Sequence, residues 1–106
     1  MTALSEQDFR IKADQALEQA RHELLRLADE EDFEVELQNG VLQVAFEEPS
    51  PMKFVVSPNA PVRQIWVSAM SRSYKLAWSP DSDAFALDGE PLTALLERLT
   101  RQFLES

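Results

Sequence analysis

Phe33-Glu34-Val35-Glu36-Leu37-Gln38-Asn39-Gly40-Val41-Leu42-Gln43-Val44-Ala45-Phe46 is the stretch that decides the fold. A period of two sets Phe33, Val35 and Leu37 on one face of a strand and Glu34, Glu36 and Gln38 on the other. Leu42, Val44 and Phe46 repeat the pattern on the way back. Asn-Gly is the preferred pair for a two-residue turn whose central residues both take positive φ. The stretch predicts a β-hairpin with one apolar face, and a sheet of such strands needs a second layer over that face.

Upstream, residues 5–28 predict that layer's first helix. Phe9, Ala13, Ala16, Leu17, Ala20, Leu24, Leu27 and Ala28 recur at spacings of three and four. Ser5 is placed to cap it, and Glu6 and Asp8 suit its positive end. Between helix and hairpin lies a dense run of charge. Six of the eight residues from Asp29 to Glu36 are acidic (Asp29, Glu30, Glu31, Asp32, Glu34 and Glu36), and none is basic. Residues 1–50 hold 13 acids against 4 bases, whereas residues 51–106 hold 6 of each, so the first half of the chain carries the whole net charge of −9 and the run concentrates it at one edge.

Downstream, Met52–Val56 predicts a third strand and Ser57–Pro61, with two prolines, a rigid turn. Arg63–Met70 alternates again, with Ile65, Val67 and Ala69 inward and Gln64, Trp66 and Ser68 outward. Ser73–Trp78 and a short Ala84–Leu87 make the fifth and sixth strands. Asp88-Gly89-Glu90-Pro91 opens a closing helix whose stripe is Leu92, Leu95, Leu96, Leu99 and Phe103. The prediction is a single α+β domain over residues 1–106. It is a two-layer sandwich of α-β(5–6)-α order, with both helices on one face of an antiparallel sheet.

Composition narrows the function. A pI near 4.5 with no basic stripe argues against nucleic-acid binding. The chain has no cysteine, which removes disulfides and thiolate chemistry. Its start has no signal-like apolar core, and no apolar run approaches the ~20 residues that cross a bilayer, so a soluble cytoplasmic protein is expected. One histidine, two glycines and no nucleophile–base pair make no catalytic constellation.

The order of features resembles bacterial frataxin over nearly the whole chain. Phe9-Arg10-Ile11-Lys12-Ala13-Asp14-Gln15 is similar to that family's first-helix start, and Val35–Phe46 to its first hairpin. Pro61-Val62-Arg63-Gln64-Ile65-Trp66-Val67 resembles its Gln-apolar-Trp-apolar motif. Gly89-Glu90 before Leu95-Leu96-Glu97 resembles the entry to its closing helix. The resemblance implies an iron-binding protein that docks on the cysteine desulfurase and its scaffold protein, and that modulates or supplies iron–sulfur cluster assembly. It departs where Leu25 and Arg26 stand in place of a pair of acids, and where Ser71-Arg72-Ser73 lacks the usual turn glycine.

The candidate metal ligands are Asp29, Glu30, Glu31, Asp32, Glu34 and Glu36, joined by Glu23 and His22 near the helix end. Asp32, Glu34 and Glu36 on one strand face would stand ~7 Å apart per step, too far for one tight chelate. Each would lend one or two oxygens to a weakly held hard cation, Fe²⁺ or Fe³⁺ among them. A charged solvated face is the plainer reading of such a run, and a lone His among acids is ordinarily a surface residue. Trp66 should face outward, either docking a partner, or covering a neighbouring strand or shielded by a long side chain, with Gln64, Asn59 and Arg63 at its rim. A monomer is expected without metal. The alternative is an acidic, metal-independent module for a basic partner. A DNA mimic would need two rows of acids rather than one edge.

Overall fold

A computed structural model describes residues 4–48 and 50–105. The helix α1 (Glu6–Ala28) is followed by strands β1 (Phe33–Gln38), β2 (Val41–Phe46) and β3 (Met52–Asn59), then a 3₁₀ turn at Ala60–Val62. Strands β4 (Gln64–Ala69), β5 (Arg72–Ser79), β6 (Ala84–Leu87) and β7 (Glu90–Pro91) lead into the helix α2 (Leu92–Leu104). All seven strands form one antiparallel sheet in chain order, so β1 is an edge. The expected two-layer α+β sandwich is present, with one strand more than the five or six anticipated.

Local chemistry starts each element. The Ser5 hydroxyl accepts the Asp8 N–H at 3.1 Å, satisfying one of the four free donors at the start of α1. Asn39 and Gly40 take φ of 55° and 77° between β1 and β2, the turn that their sequence predicts. Both helices lie on one face, where their stripes meet alternate strand residues in one core. Phe9, Leu17, Leu24, Leu96 and Phe103 are buried with Val44, Phe54, Ile65, Leu76 and Phe85. Its aromatic spine runs from Phe33 to Phe46 at 5.2 Å and on to Phe103 at 4.8 Å. Each buried Phe contributes about 2–3 kcal/mol of transfer free energy.

Two expectations, the turn at Ser57–Pro61 and the helix opening at Asp88–Pro91, are revised. Ser57, Pro58 and Asn59 extend β3 instead of leaving the sheet. The β2 ladder ends at Leu42 opposite Val56, so at Pro58 the strand pairs only with Ile65 of β4. A proline without an N–H is tolerated where one side has no partner. Second, Asp88-Gly89 is a hairpin turn, with φ of 52° and 85°, and Glu90-Pro91 forms β7 against Ala86 and Leu87. Pro91 is therefore the N-cap of α2 rather than its first helical residue. Arg98 binds both oxygens of Glu90 at 2.8 and 2.9 Å and ties β7 to α2.

Candidate metal and partner surfaces

The acidic run begins where α1 ends. Asp29 is the C-cap and its N–H donates to the Leu25 carbonyl at 3.2 Å. The N–H groups of Glu30 and Glu31 both reach the Leu27 carbonyl at 3.0 Å, and Phe33 N–H reaches Glu31. This tight turn fixes the backbone while leaving the side chains of Asp29, Glu30, Glu31 and Asp32 exposed. Carboxylates at a helix C-terminus lie against its negative end, which disfavours them. Arg26, the base of the last turn, is committed to Glu23 at 3.5 Å.

Asp32 lies in this turn and not in β1, which starts at Phe33. The expectation of Asp32, Glu34 and Glu36 on one strand face is thus revised to the last two. These sit on the open face of the edge strand, opposite Ala45 and Gln43. Lys53 is the nearest base along that row, facing Ala45 from β3. Among the described residues none of the six acids makes an ion pair. Also among the described residues, no three or more Asp, Glu, His or Cys side chains come together to hold a metal ion. The geometry offers single carboxylates and water to a cation, not a cage.

The helical candidates are dispersed. His22 is exposed and, among the described residues, its imidazole makes no hydrogen bond or ion pair. Glu18, one turn before it on α1, is taken by Arg21 at 3.3 Å. Glu23 and Glu30 line one cleft between α1 and α2, but Arg26 and Arg101 line it too. A cation there would compete with guanidinium groups.

The second surface is on the open face of β4. Ile65 and Val67 are buried, so alternation turns Trp66 outward, where it stays 37% exposed. Its indole N–H donates to Gln64 Oε1 at 2.8 Å. Lys75 stands opposite it in the register and holds its ammonium 4.9 Å from the ring centroid. Shielding by a long side chain is one of the alternatives for Trp66, and the sequence does not name Lys75. Only the β4–β5 register, set by the turn at Met70-Ser71, identifies it. Asn59 faces Gln64 across β3–β4. Arg63 is not a free rim contact. It takes φ of 53° after the 3₁₀ turn, donates to the Leu4 carbonyl at 3.1 Å and also binds the Ala60 carbonyl. Its guanidinium ties Leu4 to that turn. Among the described residues, no helix is long and apolar enough to cross a membrane.

Residues 2–106 match the family model of the frataxin-like domain. The iron–sulfur cluster assembly protein CyaY of Pseudomonas aeruginosa is 41% identical over 76 residues, covering 68% of each chain. That of Pseudomonas fluorescens is 31% identical over 90 residues, covering 81% of this chain and 80% of its own. A solved frataxin from Psychromonas ingrahamii shares the fold at TM-score 0.70 and 13% identity, covering 97% of this chain and 94% of that one.

Proposed function

The chain belongs to the frataxin family, and on that premise we propose that it binds iron weakly at Asp29–Glu36 and docks there on a cysteine desulfurase to modulate cluster assembly. Its relatives named for iron–sulfur cluster assembly support a role in that process, as an assembly protein and not a classical enzyme. The observation that carries the finer reading is the set of six exposed carboxylates along one edge that, among the described residues, have no ion-pair partner. Such an edge raises the local concentration of cations and steers basic surfaces toward it. Trp66, beside Gln64 and Asn59, is the contact for the scaffold protein. An exposed Trp already oriented by a hydrogen bond loses little freedom on docking. The protein works in the cytoplasm, as a monomer until metal is added.

The test is an NMR titration of the ¹⁵N-labelled protein with the desulfurase, then separately with Fe²⁺ under anaerobic conditions. Both should move Asp29–Glu36 and the end of α1 and leave α2 still. Fe²⁺ acting no differently from Mg²⁺, together with a silent desulfurase titration, would sink the proposal. Trp66→Ala should keep the fold and weaken scaffold binding, and unchanged affinity discards that role.

A second reading is favoured by one observation. The lack, among the described residues, of any converging ligand set suits a metal-independent acidic module for a basic partner. It predicts desulfurase binding that is unaffected by iron.

A further inference from the structure

Away from both surfaces, α1, the end of β5, the residues before β6 and the start of α2 bound a cavity of about 200 Å³. Its floor is aromatic. Trp78 and Phe85 face each other in the β5–β6 register and their rings meet edge to face at 5.2 Å. Its helical wall is Lys12, Gln15 and Gln19, which spacings of three and four bring to one side of α1. The Lys12 ammonium lies 5.2 Å from the centroid of the Trp78 ring. Asp83, with φ of 53°, lines the same cavity. Among the described residues neither Lys12 nor Asp83 has an ion-pair partner, and they do not pair with each other.

A cation and an anion thus border one apolar-floored space without neutralising one another. We propose that this cavity binds a small zwitterion carrying one apolar group, the chemistry of a free apolar α-amino acid. The carboxylate goes to Lys12 and to the carboxamides of Gln15 and Gln19. The ammonium goes to Asp83. The apolar group lies on the Trp78–Phe85 floor, in the manner of small-molecule sites that pair an apolar lining with a few polar groups. Size agrees, because an engineered apolar cavity of roughly 150 Å³ holds benzene. A ring or a branched chain fits with its charged end at the mouth. A ligand bearing only one charge would leave the other wall unanswered.

The test follows the Trp78 indole N–H and the Gln15 and Gln19 side-chain amides by NMR. L-phenylalanine, 3-phenylpropionate and phenethylamine are each titrated to tens of millimolar. The zwitterion should bind roughly tenfold more tightly than either single-charge probe, the effect of one charge-assisted hydrogen bond. Lys12→Gln should abolish its advantage over phenethylamine. Asp83→Asn, where Asn accepts positive φ, should abolish its advantage over 3-phenylpropionate. Unchanged core resonances verify that both variants fold. Equal affinity for the three probes, no shift at these groups, or shifts that survive both substitutions would overturn the proposal. None of these outcomes bears on iron or desulfurase binding, which use other residues.

Discussion

Replacing Asp29 and Asp32 by Asn, and Glu31 and Glu34 by Gln, in one variant should make the metal-free protein more stable. The run holds five successive acid–acid neighbours, from Asp29–Glu30 to Glu34–Glu36, and the variant removes every one. Two unit charges ~7 Å apart in water repel by about 0.6 kcal/mol, and screening at 0.15 M salt leaves about 0.25 kcal/mol for each pair. Close neighbours also repel in the unfolded chain, so about half of that sum survives as a folded-state difference. Relief at the C-terminus of α1, where Asp29 caps the helix, adds about 0.3–1 kcal/mol. No ion pair is lost in exchange, since among the described residues the four acids have none. The total is about 1 kcal/mol, which for a domain of this size raises Tm by about 4 °C. Thermal melts by circular dichroism, repeated across a salt series, test it. The gain should shrink by more than half at ~1 M NaCl, where the screening length falls to about 3 Å. Millimolar Mg²⁺ should stabilise the parent and not the variant. A lower Tm, or a gain indifferent to salt, would refute the electrostatic reasoning.

Three further outcomes are expected. Ser71 is exposed with φ of 65° in the β4–β5 turn. Ser71→Gly should therefore stabilise by about 0.5–1 kcal/mol, the left-handed penalty less glycine's added chain entropy, read as a higher urea midpoint at unchanged m. Thr100 is buried and, among the described residues, its hydroxyl has no partner, so Thr100→Val should add about 1 kcal/mol by calorimetry. Glu90 has its pKa held below the ordinary carboxylate value, first by the hydrogen bond from Arg98. A depressed folded pKa contributes stability that is present above the unfolded value and is lost as pH falls through the folded one. Glu90→Gln should accordingly flatten the acid limb of the stability–pH curve below about pH 4.5 and leave the slope near neutrality unchanged.

What the sequence determined by itself is what depends on neighbours along the chain. Alternation from Phe33 to Phe46 specified which side chains enter the core, because a strand's faces repeat every two residues. The stripe from Phe9 to Ala28 specified the buried side of α1 in the same way at a helical period. The acidic run needed no folding to be seen. Its being exposed followed from the cost of burying unpaired charge.

Only the tertiary structure decided what depends on register and strand order. It put β1 at the sheet edge, and turned Asp32 out of the strand row. Among the described residues it gathered no three of the acids into a group that could hold a metal ion. It let Pro58 remain in β3, because whether a missing N–H matters depends on whether a partner strand is there to receive it. Asp88-Gly89 carried the same local signal as Asn39-Gly40, yet the two-residue strand it creates is visible only against Ala86 and Leu87. Lys75 reached Trp66, and Lys12 reached Trp78, across separations in sequence that no local pattern spans. Pairings of that kind are set by the global packing that brings distant segments together, and so they are written in the fold and not in any window of the chain.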